Sequence, residues 1–448
     1  MKTEDKNFYR SLLMLVGPIA LQYLINTAVS SADVVMLGYV SQTALAAGSL
    51  ANQIQFILNL FLAGLTSGMT ILAAQYWGKR DLDSIQKILG MGLKLSASVT
   101  FLFAAAACFL PGMLMRIFTD DENMIASGII YLRTVGVSYF LMGISQTYLC
   151  VMKSMERVRA TTMISSSALV LNIFLNAVFI FGLFGAPQLG IMGVALATSI
   201  ARGIELLLCA IDLKFQNTVV LKWKKMFQKD KLLFGDFIRF SLPALGNEVV
   251  WGVAFAMYSA IMGHLGEDMV AANSVVVVAR NLGTVLCMGV ANGGGILLGK
   301  EMGQNRLKEA KRDAARISWI TLGTSLLGSA VILLLRPVFL QMANLSPMAR
   351  EYLGFMVLVN AVYILGQGIN TSWICGVFRA GGDSKFGFIM DLIIMWGYAV
   401  PAGFLAAFVF RFPPMLVYVV LCTDEFVKMP FIFWRYKKYK WLKNITRG

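Results

Sequence analysis

The chain has 448 residues, of which 58% are hydrophobic and only 14% charged, with a mean hydropathy of +0.70. A soluble chain of this size keeps roughly a quarter of its residues charged, so a fold with a water-facing surface all round is excluded. At ~20 apolar residues per membrane crossing, the apolar content suffices for roughly twelve helices. The net charge of +15 raises nucleic acid as a partner, which the placement of the charges then rules out.

The polar segment 1–10 precedes an apolar stretch at about 11–38, too long for the apolar core of a signal peptide and therefore read as an uncleaved first span. Further spans are expected at about 46–76, 88–110, 130–152, 161–183, 190–212, 238–264, 270–299, 316–336, 352–376, 386–409 and 415–435. Runs this continuous demand helices, because lipid offers the backbone no hydrogen-bond partners, and they lack the alternation of barrel strands. The predicted fold class is an all-α membrane protein with twelve transmembrane helices.

Twelve spans put both termini on one side. That side collects 33 of the 39 Lys and Arg, the other five, and Arg280 is left in mid-span. The positive-inside rule makes the rich side cytoplasmic. The +15 is thereby accounted for by topology and contact with anionic membrane lipid, and no nucleic-acid partner is expected. The one His, His264, falls in an outer loop, and the six Cys lie in apolar runs without a CxxC pair. These facts argue against His-based metal sites and disulfide chemistry. No GxxxxGK[ST], HExxH or GxSxG motif is present, which removes ATP hydrolysis by a P-loop and the commonest hydrolase signatures.

Shifted by 225 residues, the chain meets itself. Gly17-Pro18 falls on Leu242-Pro243, MLG at 36–38 on IMG at 261–263, and LAA at 45–47 on VAA at 270–272. WGKRDL at 77–82 falls on MGQNRL at 302–307 and, after a one-residue gap, Pro187 on Pro413. Six spans, an even number, separate the copies, so the two six-helix lobes are expected to share one orientation about a pseudo-twofold axis along the membrane normal. Such repeats build transporters that rock around a central cleft. The expected division is an N-terminal lobe at 1–213, a basic cytoplasmic linker at 214–239, and a C-terminal lobe with a basic tail at 240–448.

Ionisable groups inside a bilayer are functional candidates because they are costly there. In the first span Gln22, Asn26, Ser30 and Asp33 share one helical face. Asp33 lies five residues before Gly38, ~7 Å inside the outer end. Asn176, with Asn172 one turn deeper, and Thr198 count to a similar depth in the fifth and sixth spans. One carboxylate, two amides and a hydroxyl at one depth make an oxygen-rich pocket for a proton or Na⁺. A carboxyl kept from water favours its neutral form, so Asp33 could take up a proton and release it when the cavity opens. The alternative is that Asn172, Asn176 and Thr198 only join helices by hydrogen bonds. In the second half Glu248 lies at mid-depth and Arg280 needs a counter-charge, for which Glu248 is the first candidate, as a functional or a structural pair. Asp391 is expected at the cytoplasmic interface, Glu205 paired with Arg202, and Asp424-Glu425 with Lys428. Asn52 and Gln55 on the second span, with Tyr139, Trp251 and Phe255, are candidates to line a cleft for flat cations.

The segments SADVVMLGYVSQTALAAGSLANQI, GAPQLGIMGVALATSIAR, MGHLGEDMVAANSVVVVAR, GKEMGQNRLKEAKRDAA and FRAGGDSKF occur in an order that resembles the multidrug and toxic compound extrusion (MATE) family, prokaryotic branch, over essentially the whole chain. The resemblance implies an inner-membrane antiporter, not an enzyme, that expels cationic or amphipathic compounds in exchange for H⁺ or Na⁺, without a cofactor beyond that ion. It is expected to work as a monomer among membrane lipids. The family's first cation site matches Asp33, Asn172 and Thr198. The family often has Asp where Asn176 stands, which weakens Na⁺ and favours H⁺. Glu248 resembles the family's acid of the seventh span, while Gln367 and Gly368 stand where the sodium-coupled branch has an Asp. A lipid-linked precursor flippase is the rival of related architecture, although its cargo calls for several basic residues in the cleft. A membrane-embedded enzyme is the rival from another class.

Overall fold

The computed structural model describes residues 3–215, 222–226, 228–341 and 345–447, with the side chains at 3–6, 30, 31, 33–35, 37–39, 42, 45 and 223 outside the described set. Long helices dominate it. They are α1 (Thr3–Val40), α2 (Gln42–Lys79), α3 (Leu82–Phe109), α4 (Glu122–Ser154), α5 (Val158–Phe181) and α6 (Gly190–Phe215), then α7 (Lys231–Gly263), α8 (Glu267–Gly303) and α9 (Leu307–Leu334). α10 (Pro347–Thr371) continues through a π-helical stretch, Ser372–Phe378, and α11 (Ser384–Val409) widens in the same way at Leu392–Ala399 and Leu405–Val409. Among the described residues, eleven helices are long and apolar enough to cross a membrane.

The twelfth expected span is two helices, α12 (Pro414–Leu421) and α13 (Asp424–Lys437), joined at Cys422-Thr423. Asp424, Glu425 and Lys428 interrupt its apolar run, so it fails a test of length and hydropathy.

Local chemistry sets the helix boundaries. Asp81, Asp121 and Ser346 accept backbone N–H groups at the starts of α3, α4 and α10. Gly182, at φ +68°, ends α5 in the left-handed conformation. Pro18 and Pro243, matched by the 225-residue shift to within the same landmark, both sit inside helices, as membrane helices tolerate. Large apolar side chains point outward, Phe109 at 81% exposure and Leu334 at 77%, a surface suited to hydrocarbon rather than water.

The chain forms two compact units: Met1–Tyr23 with Thr70–Arg80 and Ile238–Gly448, and Leu24–Met69 with Asp81–Phe237. Helices α1 and α2 therefore each contribute to both. Within the first unit α2 and α8 cross backbone to backbone. A Cβ on Gly78 would overlap the carbonyl of Lys300, one on Gly303 that of Gln75, and one on Gly299 would press on Ala74 at 2.9 Å. Gln75 and Lys300, Gly78 and Gly303, and Ala74 and Gly299 are each 225 residues apart, so this crossing obeys the sequence repeat. The tail after α13 is packed beneath the same unit. Trp441 is fully buried and stacks on Tyr436, which stacks on Trp373 at 4.7 Å. Gln75 Nε2 donates to the carbonyls of Ala380 and Lys443, and its Oε1 accepts the N–H of Ile445 at 2.8 Å.

In the second unit an apolar cluster around Leu58, Leu132, Val135 and Ala195 holds α2, α4 and α6 together. The described part of the basic linker lies on α3. The N–H of Lys222 donates to Gln86, Lys225 pairs with Asp83, and a Cβ on Gly90 would overlap the carbonyl of Met226. Asp230 caps α7 through the N–H of Leu233 and pairs with Lys87 at 3.0 Å. The Leu233 N–H first, then Lys87, holds its carboxyl below the usual carboxylate range. This carboxylate therefore stabilises the fold above about pH 4, and the contribution is lost as pH falls through its lowered pKa. Asp230→Ala is expected to cost about 1 kcal/mol at neutral pH. In thermal unfolding of detergent-solubilised protein, the gap from wild type should close below that pH.

Candidate cation-coupling site

Helix α5 carries Asn172 and Asn176 one turn apart, and α6 carries Thr198. A Cβ on Gly193 of α6 would meet Phe179 of α5 at 2.8 Å, and the N–H of Leu189 donates to the carbonyl of Phe179, so the two helices approach closely just beyond their connection. That approach brings the polar groups together. Asn172 Nδ2 donates to Thr198 Oγ1 at 3.2 Å, Thr198 Oγ1 donates to the carbonyl of Val194 at 3.0 Å, and Asn176 Nδ2 donates to Asn172 Oδ1 at 3.4 Å. Because the Thr198 proton is committed to its own helix, its lone pairs must accept, and this fixes the direction of the chain. Both asparagines are buried and Thr198 is half-buried.

Asp33 lies on α1, whose helix runs unbroken past it to Val40, but its side chain is outside the described residues. Gln22 is half-buried and Asn26 exposed on the same helix. On α2, Asn52 accepts from the phenol of Tyr131 at 3.0 Å, which ties it to α4, and Gln55 is half-buried. Tyr139, expected on a cleft wall, is instead fully enclosed in the apolar cluster of the second unit.

The expected pairing of Glu248 with Arg280 is replaced by another. Glu248 Oε1 pairs with Arg379 at 2.9 Å. Arg280 instead lies over the ring of Phe255, 4.7 Å from its centroid, with Tyr363 at 5.9 Å and Trp251 tilted against Phe255 at 4.6 Å. The quadrupole of the rings takes the place of a carboxylate, an interaction of ~0.5–2 kcal/mol. One of the aromatics expected to receive a foreign cation, Phe255, thus holds one of the protein's own.

Sequence reasoning missed the extent of the charge network in the same unit. Asp391, expected at the membrane interface, is buried and bonded to Lys428 at 3.0 Å and to Asn247 at 2.5 Å. Lys428 also reaches Glu425 at 2.9 Å, Asn370 donates to Glu425, and Arg379 donates to Asn247. The chain Glu248–Arg379–Asn247–Asp391–Lys428–Glu425–Asn370 thus connects α7, α10, α11 and α13. The Asp424-Glu425-x-x-Lys428 spacing carried part of the signal, and Glu425 does pair with Lys428. Asn247 and Arg379 carried none. Glu205 pairs with Arg202 at 2.8 Å, and also accepts from Ser145. Among the described residues no group of three or more His, Cys, Asp or Glu could hold a metal ion, and the exposed His264, just past α7, bonds to the carbonyl of Ala260 and meets the ring of Phe408.

A sequence model described as MatE matches residues 18–178 and 243–405. The chain is 23% identical over 446 residues to the uncharacterized transporter YisQ of Bacillus subtilis (strain 168), covering 99% of this chain and 97% of that protein. It is 25% identical to the probable multidrug resistance protein NorM of Rhizobium meliloti (strain 1021), covering 90% and 87%. A mutant of the Vibrio cholerae MATE transporter VcmN has the same fold, with a TM-score of 0.89 at 16% identity over 98% of both chains.

Proposed function

The chain belongs to the MatE family of membrane transporters, and we propose that it is a secondary active exporter of cationic or amphipathic compounds driven by an inward flow of protons. The observation that carries this reading is the hydrogen-bonded set of buried Asn172 and Asn176 with half-buried Thr198. It lies in the helices whose residue count matches the depth of Asp33 on α1. Amides and a hydroxyl beside an acid can hold its proton without water and let it go when water enters. A proton is favoured over Na⁺ because Asn176 is neutral and because Asn172 and Thr198 already satisfy one another. A hard cation would need those oxygens free. The cargo is read from the multidrug resistance of the relatives' names and from the ring of Phe255, which already accommodates a guanidinium. Both termini are read as cytoplasmic from the 33 basic residues on their side.

The test is export of a fluorescent organic cation by inverted membrane vesicles under an imposed pH or Na⁺ gradient. Wild type should respond to the pH gradient. Asp33→Asn should fall to the level of vesicles without the protein while reaching the membrane in normal amount. Full activity in Asp33→Asn would remove that residue from the mechanism, and drive by Na⁺ alone would replace the proton.

A further inference from the structure

Where α7, α10, α11 and α13 meet, acid outnumbers base once the Asp383–Arg435 pair is set aside. Glu248, Asp391, Asp424 and Glu425 stand against Arg280, Arg379 and Lys428. Glu248 has Arg379, Asp391 and Glu425 share Lys428, and Arg280 rests on aromatic rings. Asp424 is the acid left over. It is fully buried, and among the described residues no basic group lies within ion-pair distance of it. Its Oδ2 accepts from the phenol of Tyr258 at 3.3 Å, while its Oδ1 has no partner. A buried carboxylate oxygen left without a donor is a costly arrangement, and a proton on that oxygen removes the charge and supplies a donor.

Helix α10 offers the acceptors such a donor needs. Asn360, Tyr363, Gln367 and Asn370 recur at intervals of three and four residues, so they form one stripe. All four are at most 4% exposed. Asn360 Oδ1, Tyr363 Oη, Gln367 Oε1 and Asn370 Oδ1 have no partner. The amide donors are already spent, Asn360 on Met356 and Tyr418, Asn370 on the backbone and side chain of Glu425. Gly366 lets α10 come close to α13, since a Cβ there would lie 3.2 Å from the Cβ of Glu425. The titratable and charged groups that face Asp424 are Tyr258 of α7, Tyr363 of α10, Asp391 of α11, Cys422 beside it, and Glu425 and Lys428 of α13.

We infer that Asp424 is a second proton-carrying carboxyl of this transporter, protonated on Oδ1 and donating to the oxygen stripe of α10. The proton comes from water and returns to it, and no bond other than O–H is made or broken. This inference rests on the proton-driven reading above, and its test separates the two. Full-length protein in liposomes is followed by the infrared carbonyl stretch of neutral carboxyls as pH is varied, alongside export under a pH gradient. Wild type should show a neutral-carboxyl band that Asp424→Asn lacks and Asp33→Asn keeps. Export by Asp424→Asn should fall about tenfold or more, on the scale of one lost proton-transfer group. An unchanged band in Asp424→Asn overturns the inference, whatever drives export. Loss of the band together with export driven by Na⁺ alone would instead overturn the proton-driven reading. Should Asp424→Asn fail to fold, Tyr258→Phe serves. It removes the phenol that donates to Oδ2 and should move the midpoint of the band upward by about one pH unit, a tenfold change in proton affinity. A midpoint that stays in place would overturn the inference equally.

Discussion

Lys428→Met is expected to give protein that barely accumulates in the membrane and unfolds at much lower temperature in detergent. One ammonium serves two carboxylates, Asp391 at 3.0 Å and Glu425 at 2.9 Å, and all three side chains are 6% exposed or less. The remaining oxygens of the acids are held by Asn247 and Asn370, which offer dipoles but no charge. Removing the cation leaves two buried anions close together. Breaking a buried pair from one side costs about 3–5 kcal/mol, a large share of the 5–15 kcal/mol that typically separates folded from unfolded protein. The cost should lie in the stranded charges rather than in the lost lysine. The triple variant Lys428→Met, Asp391→Asn, Glu425→Gln should therefore recover most of the wild-type melting temperature. A single variant as stable as wild type would show that the acids are neutral without their lysine.

Substitution at the α2–α8 crossing should be nearly as severe. Gly78→Ala or Gly303→Ala puts a methyl group on a backbone carbonyl, of Lys300 or Gln75 respectively, and a carbonyl cannot rotate aside as a side chain can. The helices must separate, at a cost of about 1–3 kcal/mol for each change. Close approach through small residues supplies much of the attraction between membrane helices. Because both glycines serve one crossing, the second substitution should cost less than the first. Melting temperatures of the two single variants and the double variant, measured in one detergent, give the answer. Strict additivity would mean that the two contacts yield independently.

The sequence disclosed the elements whose causes are local or repetitive. Continuous apolar runs required helices, and the 225-residue shift, first seen as matching motifs, reappears as the reciprocal contacts of Gly78 with Lys300 and Gly303 with Gln75. The Asn172–Thr198 contact was legible because depth can be counted from Gly182 and Gly190. The partners of buried charges were not. Arg280 called for an acid by charge alone, and Phe255 satisfied it through its ring, while Glu248 went to Arg379, just past a π-widened stretch of α10 whose phase no 3.6-residue count reproduces. Asp391 seemed interfacial because it lies five residues into its span. It became buried because Lys428 on another helix stands opposite. Such pairings depend on which helix neighbours which, and a single sequence does not order helices.

The seating of the last residues bears on how the molecule can be handled. The backbone N–H of Arg447 donates to the phenol of Tyr76, its carbonyl receives Lys79, and Trp441 lies sealed below Gly381. A purification handle or fluorescent reporter joined directly after these residues would pull on an anchored strand. Trimming back past Trp441 would leave an aromatic-sized void and take the Ile445 N–H away from Gln75 Oε1. Attachment at the amino end, or through a long flexible spacer, keeps that anchorage intact.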